Sequence, residues 1–420
     1  MSRGVPRGMD GKQRVPSGYL ALFASLYALQ GVVVAYFFNF NQLYMMAGGV
    51  SKADAADAQS LALLPFIFKF LGGPLSDRFN LLGFGHRKPY IMIGLVVQSL
   101  GLLSLSLMHP ANNLAGFTAL ALLTVAGLAL YDTCCDGMVI DVTPAADRDR
   151  VQGMLVASRA AAAMLCTLGF GFLLEFTGNG PGRGDPVLWI CAALGIIPLI
   201  QALIVPEPRR AEDAERFQWR ALSVLLRPRS LVLLAFGAFY ALVGYGVEIN
   251  LGSFYNEALH FRERTIGALG SSRYVGRVIG AALLPVFAAR LGRSWVLKAG
   301  VLALAAATML QAAISGPAPA GLAAGAFGAA NGWTDAVFYV LAMEASDPRM
   351  AASTYALFMA VTNISVAGGS LFARLEAALG TPGQPGYRLA FLLTGAFVLL
   401  VWPSIRPLSR FPSQTKTASS

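Results

Sequence analysis

Long apolar runs alternate with short polar connections along the whole chain. Twelve runs approach the roughly 20 mostly apolar residues that a membrane-spanning helix needs. Because backbone polar groups in lipid must be paired within their own segment, runs of this length predict helices and not barrel strands. The predicted spans are residues 18–44, 56–75, 90–109, 114–142, 151–177, 186–205, 229–258, 265–289, 294–314, 319–343, 350–378 and 387–405.

The longest polar connection, from Glu207 to Arg229, divides the twelve runs into two sets of six. Its Phe217 and Trp219 leave two interpretations open, an amphipathic helix on the membrane surface or a solvated linker. We therefore expect an all-α membrane protein with twelve transmembrane helices in two six-helix pseudo-symmetric bundles. The predicted domains are an N-terminal bundle (1–205), a cytoplasmic linker (206–228), a C-terminal bundle (229–405) and a cytoplasmic tail (406–420).

The composition supports lipid as the main solvent. Hydrophobic residues make up 56% of the chain and charged residues 13%, against about 25% charged residues in soluble proteins. In a soluble protein the net charge of +10 would suggest nucleic acid, but here Lys and Arg concentrate in alternate connections. That bias is typical of cytoplasmic loops. It predicts a multi-pass protein of the inner (cytoplasmic) membrane with both termini in the cytoplasm and no nucleic-acid partner.

Neither a cofactor nor enzyme chemistry is expected. The four cysteines lie inside apolar runs and the three histidines are scattered in loops, so they predict neither a disulfide framework nor a metal site. A nucleotide-binding loop and a nucleophile–base pair are not evident either. The polar, basic N-terminal residues also predict no cleavable signal peptide.

The two halves repeat each other at an offset of a little more than 200 residues. Asp132 in span 4 and Asp335 in span 10 are 203 residues apart. Lys69 in span 2 and Arg277 in span 8 are 208 residues apart, and each is followed by glycine three positions later. Parallel repeats of this kind predict a substrate site near mid-membrane, at the interface between the halves.

The loop after span 2 carries two short motifs. The sequence GPLSDR at residues 73–78 is followed by GHRK at residues 85–88. Together they resemble the signature of major facilitator transporters, a G-x-L-x-D-R core followed by a basic cluster. In that family the loop is a conformational latch and not a substrate site. The resemblance implies this role for Gly73, Asp77, Arg78, Arg87 and Lys88.

Ionisable residues inside the spans are functional candidates, because each costs about 2.5–3.5 kcal/mol on insertion. Asp132 and Asp136 are four residues apart, so they share one helix face. Their mutual repulsion favours proton binding by one of them, as a proton-coupling site requires. The alternative interpretation is a structural salt bridge to Arg159 or Lys69. Glu248 is a second candidate proton carrier.

Cations inside the spans suggest an anionic solute. Arg273 and Arg277 share a face of span 8, and two guanidinium groups suit bidentate binding of carboxylate or phosphate. The alternative is that they only pair with Glu248 or Asp335. The predicted substrate-binding residues are Arg273, Arg277, Lys69, Tyr245 and Trp333. The predicted proton-coupling residues are Asp132, Asp136, Glu248 and Asp335, and the predicted structural charge network is Asp141, Arg159 and Glu344.

The segment from span 4 to span 5 narrows the resemblance. Residues 132–141 have the spacing D-x-x-x-D-x-x-x-x-D, and a basic, glycine-containing segment follows up to Arg159. This pattern resembles the AmpG-type muropeptide permeases and the related acetyl-coenzyme A transporters. LPFIFKFL at residues 64–71 and YAL at residues 355–357 also resemble segments of those families. The resemblance implies proton-driven import of an anionic cell-wall fragment or movement of an acyl-CoA for the class.

The leading hypothesis is a proton-coupled symporter that takes up an anionic amphiphilic solute, such as a muropeptide or a siderophore, by alternating access. Its expected partners are the solute, protons and the lipid bilayer, with the chain acting as a monomer. Two alternatives stay open: a non-transporting assembly factor or receptor on a facilitator scaffold, and a proton-antiport exporter. Span 5 lacks the G-x-x-x-G-P-x-x-G-G pattern of drug/proton antiporters, which lowers the exporter alternative without excluding it.

Overall fold

The computed structural model describes residues 15–69, 76, 81, 85–144, 148–206, 226–345, 351–381 and 385–410. Within these ranges the chain forms helices and no β-strand. The helices fall into the twelve predicted regions, labelled α1 to α12. Three latch residues (Gly73, Asp77 and Arg78), residues 207–225 of the predicted linker and residues 411–420 of the predicted tail lie outside the described residues.

Each half contains six helical regions. In the first half, α1 is Ser17–Asn39, extended by Asn41–Ala47; α2 is Lys52–Ala62, continued by Pro65–Phe68; α3 is Lys88–Ser106; α4 is Leu114–Val142; α5 is Arg148–Thr177; and α6 is Asp185–Leu194 with Ile196–Ile204. In the second half, α7 is Pro228–Ser253 with a π-helical turn, Phe254–Ala258; α8 is Glu263–Leu291; α9 is Arg293–Leu310 with Gln311–Ala313; α10 is Pro317–Ala345; α11 is Ala351–Thr362, Asn363–Ala367 and Gly368–Leu379; and α12 is Tyr387–Val398, Leu399–Ser404 and Ile405–Ser409.

The outer surface is apolar, as lipid requires. Nine helices among the described residues are long and apolar enough to cross a membrane. Large hydrophobic side chains such as Leu107, Phe176 and Leu322 are almost fully exposed. In water such a surface would be a large aggregation-prone patch, whereas in a bilayer it contacts lipid tails.

Glycines set close helix crossings at equivalent places in the two halves. Gly31 on α1 packs against the backbone of α5, where an added Cβ would lie 2.2 Å from the carbonyl oxygen of Arg159. Gly368 on α11 packs against α7, where an added Cβ would lie 2.1 Å from the carbonyl oxygen of Leu242. The first and fifth helices of each half therefore cross at backbone distance, which small residues permit.

The two halves meet where α5 packs on α8 and where α2 packs on α11. Gly171 and Gly267 allow the α5–α8 contact, and the Ser370 hydroxyl on α11 donates to the Ser60 hydroxyl on α2 at 2.9 Å. Most of these contacts lie towards the end of the molecule where α1 leads into α2. We call this end the α1–α2 end, and contacts between the halves close it.

Candidate functional site

The first half holds a charge cluster that joins α1, α2 and α4. Lys69 follows the Pro65–Phe68 turn, and its Nζ lies 2.9 Å from Oδ2 of Asp132. The Thr133 hydroxyl donates to the Lys69 carbonyl oxygen at 3.0 Å and holds the two segments together. One helical turn later, Asp136 accepts a hydrogen bond from the Tyr27 hydroxyl. Asp132 is thus in an ion pair, whereas Asp136 has a neutral donor.

The second half holds a larger cluster centred on Glu248 of α7. Its Oε1 lies 3.1 Å from Nε of Arg273, and the Nη2 of Arg277 donates to its Oε2 at 3.0 Å. The Nε of Arg277 also lies 3.5 Å from Oδ2 of Asp335, and the Oδ1 of Asp335 accepts a hydrogen bond from the Tyr240 hydroxyl at 3.2 Å. The Glu248 side chain is only 1% exposed. Two carboxylates therefore neutralise the two arginines inside the second half.

The two clusters follow the sequence repeat. Lys69 pairs with Asp132 in the first half, and Arg277 pairs with Asp335 in the second. Each pair joins the second and fourth helices of its half. The ion pairs that the sequence left open as an alternative are thus present, and they occupy equivalent positions.

A second pair of equivalent contacts lies near the C-terminal ends of the same fourth helices. Arg87 Nε lies 3.3 Å from Oδ2 of Asp141, and Arg293 pairs with Glu344. Each contact joins the start of the third helix of a half to the end of the fourth. Asp141 and Glu344 therefore lie in charge pairs within their own halves.

The basic cluster of the latch motif holds helix ends together. Arg87 is 7% exposed, and its Nη1 donates to the Ser76 hydroxyl at 2.6 Å. Lys88 donates to the carbonyl oxygens of Leu203 and Val205, at 2.9 and 3.0 Å, where α6 ends. A cation at a helix C-terminus interacts favourably with the unpaired carbonyls and the helix dipole.

Arg159 does not join the structural charge network in which the sequence placed it. It is exposed, and it forms no ion pair with any residue that the structure describes. Its charge acts on Asp136 in the first half and on Asp335 and Tyr245 in the second. Arg159 therefore lies between the two clusters, at the interface of the halves.

The structure separates the two aromatic candidates. Tyr245 lies beside the second cluster, with the Arg277 guanidinium 5.4 Å from its ring centroid and the Phe38 ring of the first half 6.0 Å away. Trp333 instead donates its indole N–H to the Val296 carbonyl oxygen at 3.0 Å. Its ring contacts Phe287 and Trp295. Because residues two apart on a helix point in different directions, Trp333 faces α9 and not the charges around Asp335.

Two residues of α1 take part in the clusters without a prominent sequence signal. Tyr27 binds Asp136, and the Oδ1 of Asn39 accepts a hydrogen bond from Nη2 of Arg273 at 2.7 Å. Asn39 thereby connects the first half to the charge cluster of the second. A buried amide in a lipid-embedded helix costs free energy unless it has a partner. An asparagine inside a predicted span therefore indicates a residue that needs a hydrogen-bond partner, and this was the signal in the sequence that could have identified Asn39.

Two helical bundles that expose apolar surface to lipid, with ion pairs between their helices, define a multi-pass membrane protein. The family model described as Major Facilitator Superfamily matches residues 18–261, which is more than half of the chain. The chain therefore belongs to the major facilitator superfamily, and it is a transporter and not an enzyme.

Among curated proteins, the chain is similar to the anhydromuropeptide permeases of Escherichia coli strain K12 and Escherichia coli O157:H7. Each is 28% identical over 156 residues, which cover 36% of this chain. The match spans 30% of the length of those permeases.

Solved structures of transporters share the fold. The nucleoside transporter NupG has a TM-score of 0.73 at 12% identity and covers 94% of this chain and 99% of its own. A bacterial homologue of the human lysosomal transporter Spinster, inward-facing and occupied, has a TM-score of 0.70 at 18% identity, with 94% and 96% covered. A POT family transporter in complex with 5-aminolevulinic acid has a TM-score of 0.75 at 12% identity, with 96% and 97% covered. At these identities the likeness establishes the fold alone.

Proposed function

We propose that the chain is a proton-coupled symporter that takes up an anionic amphiphilic solute, such as a muropeptide or a siderophore, by alternating access. The observation that carries the proposal is the balance of charges around the interface of the halves. The two charge clusters and Arg159 between them contain four cations and four carboxylates: Lys69, Arg159, Arg273 and Arg277, and Asp132, Asp136, Glu248 and Asp335. Six of these eight lie in ion pairs. Asp136 and Arg159 form none with the residues described.

These two residues provide a mechanism for coupling. When Asp136 binds a proton, its negative charge disappears and the positive charge of Arg159 is no longer balanced. An anionic group bound to Arg159 restores the balance. If the anion bound while Asp136 was ionised, the two negative charges would repel each other, which weakens binding. Proton and anion therefore bind together more favourably than either alone.

The chemistry of the site supports an amphiphilic anion. A guanidinium group binds carboxylate or phosphate through two parallel hydrogen bonds. Tyr245, on which the Arg159 charge acts, offers an aromatic face to the apolar part of a solute. The similarity to the anhydromuropeptide permeases supports a cell-wall fragment as the first candidate. We propose Arg159, Lys69, Arg277 and Tyr245 as the solute-binding residues.

The proposed direction is uptake into a bacterial cell. The basic connections support a topology in the inner membrane with both termini in the cytoplasm, and we propose that the chain acts there as a monomer. The α1–α2 end then faces outwards. A proton gradient directed into the cell drives protons inwards, and a symported anion moves with them.

Uptake by proteoliposomes tests the proposal. We expect an anhydromuropeptide or a ferric siderophore to accumulate when the outside is acidified, and Arg159→Gln to abolish the accumulation. Arg374→Gln is the matched control, because Arg374 is an arginine with a 67% exposed side chain. Uptake that is independent of the proton gradient and is unchanged in Asp136→Asn would contradict the proposal. Solute efflux under the same gradient would instead support the exporter alternative.

A further inference from the structure

Lys52, at the start of α2, inserts its side chain into the second half at the α1–α2 end. Its Nζ contacts Oε2 of Glu376 and lies 3.3 Å from Oε2 of Glu257. It also lies 3.7 Å from the centroid of the Tyr387 ring. The three partners come from the end of α11, the π-helical turn after α7 and the start of α12. We call these three residues the acidic–aromatic box.

The second half holds the box in place by its own contacts. The Tyr387 hydroxyl donates to Oε2 of Glu257 at 2.6 Å, and the Gly386 N–H donates to Oε1 of Glu376 at 3.1 Å. Tyr387 is 1% exposed and Glu376 is 4% exposed. Lys52 contributes to neither of these two hydrogen bonds, which lie entirely within the second half.

The chemistry of the box suits an ammonium group. Two carboxylates supply charge-assisted acceptors, and the face of a tyrosine ring attracts a cation. The Glu376 carboxylate, whose side chain is 5% exposed, needs a cation to offset its desolvation. A cavity of about 1150 Å³, lined by the box residues together with Lys52 and His260, gives access to the box from the aqueous phase.

We propose that the acidic–aromatic box is a binding site for a primary ammonium group. Lys52 fills it and thereby closes the α1–α2 end. When the halves part at this end, Lys52 leaves the box, and a small primary alkylammonium ion binds in its place. The proposal does not depend on the identity of the transported solute or on proton coupling.

A second ion pair across the same interface provides a matched control. The Nη2 of Arg374 lies 2.6 Å from Oδ2 of Asp57, but the two side chains are 67% and 36% exposed. Exposed pairs of this kind contribute little, whereas a pair with a buried partner contributes more. Loss of Lys52 should therefore open this end far more than loss of Arg374.

The test measures how often the α1–α2 end opens. Ser253→Cys places a thiol at a side chain that is 1% exposed and whose hydroxyl lies 3.6 Å from Sδ of Met46 in the other half. Labelling by a membrane-impermeant maleimide is compared with that of protein without the added cysteine. We expect Lys52→Ala to raise the labelling rate by at least about tenfold. Arg374→Ala should raise it by less than about fivefold.

Chemical rescue then tests the ligand class. n-Propylammonium has three carbon atoms and an ammonium nitrogen, as many as Lys52→Ala removes, so it should return labelling to the slow rate. Uncharged 1-propanol should not, and Glu376→Gln in the same chain should abolish the rescue. Lys52→Met removes the charge but fills the space of the lysine side chain. It should therefore raise the labelling rate, and n-propylammonium should not lower that rate again. It replaces Lys52→Ala if that variant does not fold.

Three results would overturn the proposal. The first is a smaller rise in labelling for Lys52→Ala, or for Lys52→Met in its place, than the stated tenfold. The second is absence of rescue of Lys52→Ala by n-propylammonium, or rescue by 1-propanol that is equally complete. The third is rescue that persists with Glu376→Gln. A foldable Lys52→Met variant that labels at the wild-type rate counts as the first of these results.

Discussion

The Glu248 carboxylate receives a hydrogen bond from the Arg277 guanidinium at 3.0 Å, inside the second half. The same carboxylate lies 3.1 Å from Arg273, and Asp335 provides the second negative charge. The two arginines on the shared face of α8 are thus already neutralised within their own half. A solute anion would have to compete with Glu248 for them. Arg159 has no such competitor among the described residues, so it carries the prediction of anion binding.

Replacement of Arg159 should weaken anion binding more than replacement of Arg374, an exposed arginine that already has an ion-pair partner. A hydrogen bond to a charged group contributes about 1.5–3 kcal/mol, so Arg159→Gln should raise the Kd for an anionic solute by about 10- to 100-fold. Arg159→Lys keeps the charge but loses the bidentate geometry, so its Kd should lie between those of the wild-type protein and of Arg159→Gln. Titration calorimetry on purified protein measures this. Equal Kd values for Arg159→Gln and Arg374→Gln would contradict it.

Removal of the Glu248 charge should destabilise the second half. Glu248→Gln is close in shape, but it leaves Arg273 and Arg277 with the single carboxylate of Asp335. Breaking a buried ion pair from one side costs about 3–5 kcal/mol. The thermal unfolding temperature in detergent should therefore fall by several degrees. Asp57→Asn, in an exposed pair, should leave it nearly unchanged. Equal unfolding temperatures for the two variants would count against the central role of Glu248.

The two aspartates of α4 should differ in what their loss does. Asp132→Asn leaves Lys69 without its ion-pair partner and should lower the thermal unfolding temperature. Asp136→Asn removes the charge but keeps an amide oxygen that can accept the hydrogen bond from the Tyr27 hydroxyl, so stability should be almost unchanged. Asp136→Asn should keep solute exchange across the membrane but lose accumulation driven by a pH gradient. If Asp136→Asn still accumulates solute under that gradient, Asp136 is not the proton carrier.

The crossing of α8 and α10 should not tolerate a methyl group at Gly332. A Cβ there would lie 2.0 Å from the carbonyl oxygen of Arg277, and backbone cannot move aside easily. Gly332→Ala should therefore lower the free energy of unfolding by about 1–3 kcal/mol. Gly169→Ala is the control, because nothing lies within 4 Å of a Cβ at that helical position. Equal free energies of unfolding in detergent for the two variants would show that the helix crossing can relax.

The fold was largely predictable from the sequence because length and hydropathy restrict a chain in lipid to helices. The repeat also predicted that Asp132 and Asp335 would occupy equivalent positions, and both pair with the cation of the second helix in their half. Regular spacing determines such positions before any tertiary contact is known. The boundaries of the domains stay predictions.

The partners of the charges were less predictable, because a sequence shows which charges a span carries and not which of them meet. Arg159 was grouped with the structural charges, yet it forms no ion pair in the described part of the chain. Asn39 drew no attention because it is neutral, although it binds Arg273 across the interface. Trp333 was selected for its aromatic ring, but its direction depends on the packing of α9.

Proton binding during solute binding tests the central claim most directly. Purified protein in weakly buffered detergent solution is mixed with an anhydromuropeptide, and in a parallel sample with a ferric siderophore, while the pH is recorded. We predict that wild-type protein takes up about one proton for each anion bound, because protonated Asp136 and the anion on Arg159 balance each other. Asp136→Asn should bind the anion without proton uptake. Anion binding to the wild-type protein without any pH change, or equal proton uptake in Asp136→Asn, would contradict the account.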